Sequence, residues 1–204
     1  MLLDARTLGF ASVATMFVVT PGVGTAVITR TVVERGRRAG FVTAAGLLSG
    51  SAVYALATAL GLAALLVAFP SVLRAVQVVG AVYVAWLGVT TIRTAWRMDR
   101  PGEAPKGAAG DAFRTGIATS LLNPMLAVFY LTVIPQFVAP GEVVVRRTLF
   151  LAGVHITIAG SWMVVLVTGI AHLTDTLSSA AVRRRISLAT GSVLVLLAVR
   201  LLIR

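Results

Sequence analysis

Ser120-Leu-Leu-Asn-Pro-Met-Leu-Ala-Val-Phe-Tyr-Leu-Thr-Val-Ile-Pro-Gln-Phe137 is an uncharged, mostly apolar stretch long enough to cross a bilayer, with Asn123-Pro124 set inside it. Proline removes a backbone donor and displaces the carbonyl four residues back, so polar backbone groups are left open at membrane depth. A second interruption, Thr20-Pro21-Gly22, sits 103 residues earlier (Pro124 against Pro21) in a chain whose half-length is 102 of 204 residues. The spacing predicts that each half carries the same broken helix.

The surrounding composition fits a membrane solvent. Hydrophobic residues make up 58% of the chain and charged residues 12%, with a mean hydropathy of +0.95, which a monomeric soluble globule hardly tolerates. Runs free of Asp, Glu, Lys and Arg cover Leu8–Thr29, Ala39–Leu73, Ala75–Ile92, Thr115–Gly141, Thr148–Thr174 and Ile186–Val199. The second run is too long for one helix, and Pro70 is expected to end it. The sixth extends through Leu201-Leu202-Ile203, with Arg200 expected to snorkel to the surface.

The fold class read from these runs is an all-α integral membrane protein of six transmembrane helices. They form two inverted three-helix repeats, residues 1–92 and 115–204, with helices 1 and 4 broken and a cytoplasmic linker over 93–114. Pro101, Gly102, Pro105, Gly107 and Gly110 mark that linker. At the 103-residue offset Pro21 falls on Pro124, Gly50 on Gly153 and Gly88 on Gly191; the proline match carries the weight, since glycine is common in both halves.

The net charge of +11 invites a nucleic-acid reading, but no soluble fold is available to carry a basic face. Twelve of the eighteen basic residues lie in the first, third and fifth connections, so those are placed in the cytoplasm and both termini outside, in a multi-pass protein of the cytoplasmic (inner) membrane. The absence of cysteine excludes disulfides, thiolate metal sites and cysteine nucleophiles. No cofactor or metal is expected.

Threonine and asparagine are favoured N-caps, and proline is favoured at the first helical position. Thr20-Pro21 and Asn123-Pro124 therefore each read as the start of a half-helix, whose open N–H groups suit a carboxylate. The carbonyls of Phe17 and Ser120, four residues before the prolines, are expected to be released for an ammonium group. Counting ~1.5 Å per residue from the cytoplasmic ends puts both breaks ~12–14 Å deep, near the midplane, and Gln136 ~20 Å beyond Asn123 at the outer mouth. Gly46 and Gly50 form a small-xxx-small spacing for helix packing, and Pro135 reads as a kink or helix end. His155 lies well inside a span; it is either a buried histidine satisfied by a neighbour or a proton relay.

Thr20-Pro21-Gly22, Arg38-Ala-Gly-Phe-Val-Thr-Ala-Ala-Gly46-Leu-Leu-Ser-Gly50, Gly80-Ala-Val-Tyr83-Val-Ala-Trp-Leu-Gly88, and Asn123-Pro124 with Pro135-Gln136-Phe137 together resemble the lysine-exporter-type (LysE/RhtB) amino-acid efflux family. The resemblance covers nearly the whole chain. It implies export of amino acids or close relatives across the inner membrane, driven by the proton motive force, with Thr20, Pro21, Gly22, Asn123, Pro124, Pro135 and Gln136 as family positions. Members often read Thr-Pro-Gly-Pro where this chain has Val23 last, and Asn-Pro-Lys where it has Met125. All seven acids lie in connections or near span ends, which favours neutral substrates over cationic ones. The expected partners are an amino acid, protons and the lipid bilayer, with nucleic acid excluded and a homo-oligomer left open. An intramembrane enzyme, a channel and a metal-ion exporter are the alternatives. The first lacks a nucleophile or acid–base motif and the last lacks ligands.

Overall fold

The computed structural model describes residues 4–61, 70–97, 109–176 and 180–203. These form seven α-helices with no strand among them: α1 Ala5–Val19, α2 Val23–Ala59, α3 Pro70–Arg97, α4 Ala109–Leu121, α5 Pro124–Val128, α6 Val144–Thr176 and α7 Ala180–Ile203. A π-helical turn, Phe129–Val133, and a 3-10 turn, Ile134–Phe137, continue α5. By length and apolar character Val23–Ala59 and Val144–Thr174 qualify as membrane spans, and Gly110–Leu121 with Pro124–Phe137 qualifies as one span bent by 53°.

α2 is not straight. Gly36 has φ 82° and ψ 177°, a backbone conformation that glycine reaches without steric penalty. The chain folds back there: Gly24 lies against Leu47, and Val32 abuts Gly40. In a straight helix Gly24 and Leu47 would stand ~35 Å apart. The first connection, expected over Arg30–Arg38, is thus compressed into one residue between two helical arms. Arg30 Nε meets Glu34 Oε1 at 3.1 Å on the first arm just before the turn.

Two further expectations change. Pro70 opens α3 instead of ending span 2, in keeping with proline's tolerance in a first helical turn. Within the linker predicted over 93–114, helix persists to Arg97 and resumes at Ala109; residues 98–108 lie outside the described residues.

Glycine sets the closest helix contacts. On α2 and α4, Gly46 and Gly116 face each other so closely that a Cβ on either would strike the other helix's backbone. Gly50, one turn on, makes the same room for Ser120. On α3 and α7, Gly88 and Gly191 meet face to face, a Cβ on Gly88 coming 2.9 Å from the Gly191 carbonyl oxygen. Those two residues are one of the pairs matched at the 103-residue offset.

The core has three parts. Phe10, Ala14, Phe129, Tyr130, Ile134 and Leu151 join α1, the π turn and α6. Val23, Val27, Val84, Leu87, Leu194 and Ala198 join α2, α3 and α7. Ile28, Val32, Ala44, Leu47 and Val167 join the two arms of α2 to α6.

Candidate functional site

A cavity of about 250 Å³ lies where the two helix breaks meet, between α1, α2, α4, α5, α6 and α7. Thr20, Pro21 and Gly22 line it from one break and Asn123 and Met125 from the other, while His155 and Trp162 close it from α6. Sequence positions 103 apart thus share one chamber.

The two breaks are built differently. At the second, Asn123 acts as expected: its Oδ1 accepts the Met125 backbone N–H at 3.1 Å, and Pro124 occupies the first helical turn of α5. At the first, the expected threonine cap does not form. Thr20 ends α1, with its N–H (3.2 Å) and its Oγ1 (2.6 Å) both donating to the Met16 carbonyl. Backward bonding to the preceding turn competes with forward capping, and here it wins. Gly22 is the N-cap of α2, in extended backbone, and it has no side chain to offer the N–H groups that follow. The N-terminus of α2 therefore opens on the cavity uncapped, whereas Asn123 already occupies the Met125 N–H.

The released carbonyls also differ from expectation. Pro21 has no N–H to return to the Phe17 carbonyl, so that acceptor lacks its helical donor, and Phe17 lines the cavity. The Ser120 carbonyl, expected to be free, accepts the Asn123 N–H at 3.1 Å. One residue on, the Leu121 carbonyl takes the Tyr54 hydroxyl at 2.7 Å.

Other predicted positions lie off the cavity. Pro124 is buried beside Gly80 and does not line it. Gln136 is exposed, and its Nε2 donates to the Thr132 carbonyl at 2.7 Å. Pro135 belongs to the 3-10 turn. Gly46 and Gly50 serve packing, as read from their spacing.

His155 is 2% exposed and its Nδ1 lies 3.0 Å from the Tyr130 hydroxyl. Tyr130 stacks on Tyr54 (5.9 Å between centroids), and Phe17 stacks on Phe129 (4.4 Å). The π turn holds Phe129 and Tyr130 on this cluster, and such turns are frequent at functional sites. Tyr130 was invisible in the sequence because nothing local marks a π turn. Trp162 and Arg200 also line the cavity without a motif to announce them. Arg200, expected only to snorkel, is exposed yet forms part of the cavity wall.

Apolar helices, two of them broken beside a shared chamber, define a helical membrane protein with an internal cavity. The chain matches the LysE type translocator family over residues 15–204 and belongs to that family. It is 36% identical over 126 residues to the uncharacterized membrane protein PA4757 of Pseudomonas aeruginosa, covering 59% of this chain and 58% of that one. It is 28% identical over 169 residues to the homoserine/homoserine lactone efflux protein of Salmonella typhimurium, covering 81% of this chain and 79% of that one. It is 28% identical over 126 residues to the leucine efflux protein of Klebsiella pneumoniae, covering 61% of this chain and 59% of that one. No solved structure matches the chain.

Proposed function

We propose that this protein is a secondary transporter that exports neutral amino acids or close derivatives across the cytoplasmic membrane, driven by the proton motive force. The observation that carries the reading is the cavity shared by the breaks at Thr20-Pro21-Gly22 and Asn123-Pro124. Paired discontinuous helices at one site are the arrangement by which alternating-access carriers hold a solute. The relatives named for leucine and for homoserine efflux support the substrate class. Among the described residues no carboxylate lines the cavity to pair with a cationic side chain, and Phe17, Ile28, Leu47, Leu126, Met163 and Leu166 give an apolar wall.

On this reading six crossings form two inverted repeats, with both termini outside. Span 1 is α1 plus the first arm of α2, and span 2 is the arm after Gly36. The face-to-face contact of Gly88 and Gly191 supports the repeat, because equivalent residues meet at a two-fold axis. Thr20, Pro21, Gly22 and Asn123 contact the substrate, Pro124 shapes the break behind them, and Gln136 belongs to the exit path. His155 with Tyr130 is the proton relay.

Proteoliposomes loaded with labelled leucine, homoserine, threonine or arginine test the reading. Leucine and homoserine should leave faster than from protein-free vesicles, faster still with an inward proton gradient, and slower with Asn123→Ala. Efflux of arginine alone would sink the neutral-substrate reading. Counterflow separates a carrier from a channel, since internal substrate accelerates labelled uptake only through a carrier.

A further inference from the structure

The polar groups left without partners around the cavity are predominantly donors. The Nε1 of Trp162 is buried with no hydrogen-bond partner, and so is the Oγ of Ser120, a residue only 1% exposed. Both residues line the cavity. An indole N–H is a donor only, and a hydroxyl donates as readily as it accepts. The N–H groups of Val23, Gly24 and Thr25 open the first arm of α2, which runs to the turn at Gly36, with no side-chain cap, and all three residues line the same cavity. Buried donors in a native structure are almost always satisfied, so Trp162 Nε1 and Ser120 Oγ, beside the uncapped start of α2, call for an acceptor in the chamber.

These groups line one chamber. Ile28 and Val167, each five residues beyond Val23 and Trp162, belong to the same core cluster. Val23 and Ala198 share another cluster, two residues before Arg200. Among the described residues, Arg200 is the charged one that lines the cavity. Ser120 abuts Gly50, one turn beyond the Leu47 that touches Gly24.

We propose that the start of α2, with Trp162 Nε1–H, Ser120 Oγ–H and Arg200, forms the carboxylate subsite of the exporter, so that a free carboxylate strengthens binding of the transported molecule. The proposal rests on the export reading and deepens it. The donor-less carbonyl of Phe17 receives the ammonium group, and the apolar wall receives the side chain. Arg200 supplies a fixed positive charge from α7 at a chamber whose second break presents Met125. The subsite thus lies on the α2 side, away from Asn123, whose side chain is committed to capping α5.

Competition against counterflow of labelled leucine tests this without requiring the competitor to be transported. Unlabelled leucine and 4-methylpentanoate, which keeps the carboxylate and lacks the amine, should compete; leucinamide, which lacks the carboxylate, should compete at least tenfold more weakly. Trp162→Phe keeps the ring and deletes the donor. It should raise the KM for leucine about tenfold with little change in maximal rate, the loss of one hydrogen bond to a charged group. Ser120→Ala should act in the same direction and leave the weak inhibition by leucinamide unchanged. Equal competition by leucine and leucinamide would overturn the proposal, showing that water serves these donors. So would a Trp162→Phe effect confined to maximal rate. Vesicles in which labelled leucine shows no counterflow would overturn the export reading, and this inference with it.

Discussion

Asn123 does two jobs at once: its side chain accepts the Met125 N–H, and its own N–H donates to the Ser120 carbonyl. Replacing it by alanine removes the cap and should cost about 1 kcal/mol. Asn123→Ser, which keeps an acceptor at the cap, should recover most of that, as read by the thermal midpoint in detergent. His155 is matched to Tyr130 and sits at the cavity wall. If it relays protons, His155→Gln should abolish the acceleration of efflux by a proton gradient while the mutant still binds leucine; unchanged pH dependence would end that role. Asn123 was legible because a cap and its proline are neighbours in the chain. Thr20 was misread because a hydroxyl can bond forward or backward, and that choice depends on backbone angles that a residue type does not specify. Tyr130 meets His155 across 25 residues, a distance at which local pattern is silent.

At the scale of elements, the glycines separate into two groups that composition does not distinguish. Gly46 and Gly116 let α2 and α4 touch backbone to backbone, whereas Gly153 on α6 has open space where a Cβ would stand. Gly46→Val should therefore wedge the pair apart and lower stability by about 3 kcal/mol or more, since overpacking a close contact forces backbone movement. Gly153→Ala should be neutral or slightly stabilising, because alanine is the better helix former. Thermal midpoints of the two variants, measured side by side, check both. The small-xxx-small spacing around Gly46 revealed a packing face, but not which helix would occupy it. The fold-back at Gly36 was likewise hidden: Arg30–Arg38 reads as a polar connection, and a single glycine at φ 82° makes the turn without ending the helical pattern.

Across the whole molecule, one charged group ties distant segments together. Arg147 is 1% exposed; its Nη2 lies 3.0 Å from Asp4 Oδ1, its Nε 3.6 Å from Glu142 Oε2 and 3.4 Å from the Phe137 carbonyl. It joins the start of α1 to the turn before α6. Arg147→Gln should lower stability by about 2 kcal/mol, the range for hydrogen bonds to a charged group, and free the N-terminal end of α1 to proteolysis. The Asp4 carboxyl is held down at about 2, chiefly by the Thr7 backbone N–H, then by the Thr7 hydroxyl, with Arg147 behind them. A carboxylate with a depressed folded pKa contributes stability that is present above its ordinary value of 3.8 and lost as pH falls through about 2. Melting midpoints should fall over that window in the native protein and fall less in Asp4→Asn.

Hydropathy, charge bias and the two proline breaks are properties of consecutive residues, and a bilayer acts on consecutive residues. The membrane class, the broken helices and the family resemblance were therefore readable from residue order alone. Which break stays uncapped, where α2 folds back, and that Trp162, Ser120 and Arg200 line one cavity with Val23 are matters of contact between segments far apart in the chain. Those contacts depend on which helix faces meet, and a helix face is defined only once its neighbours are in place.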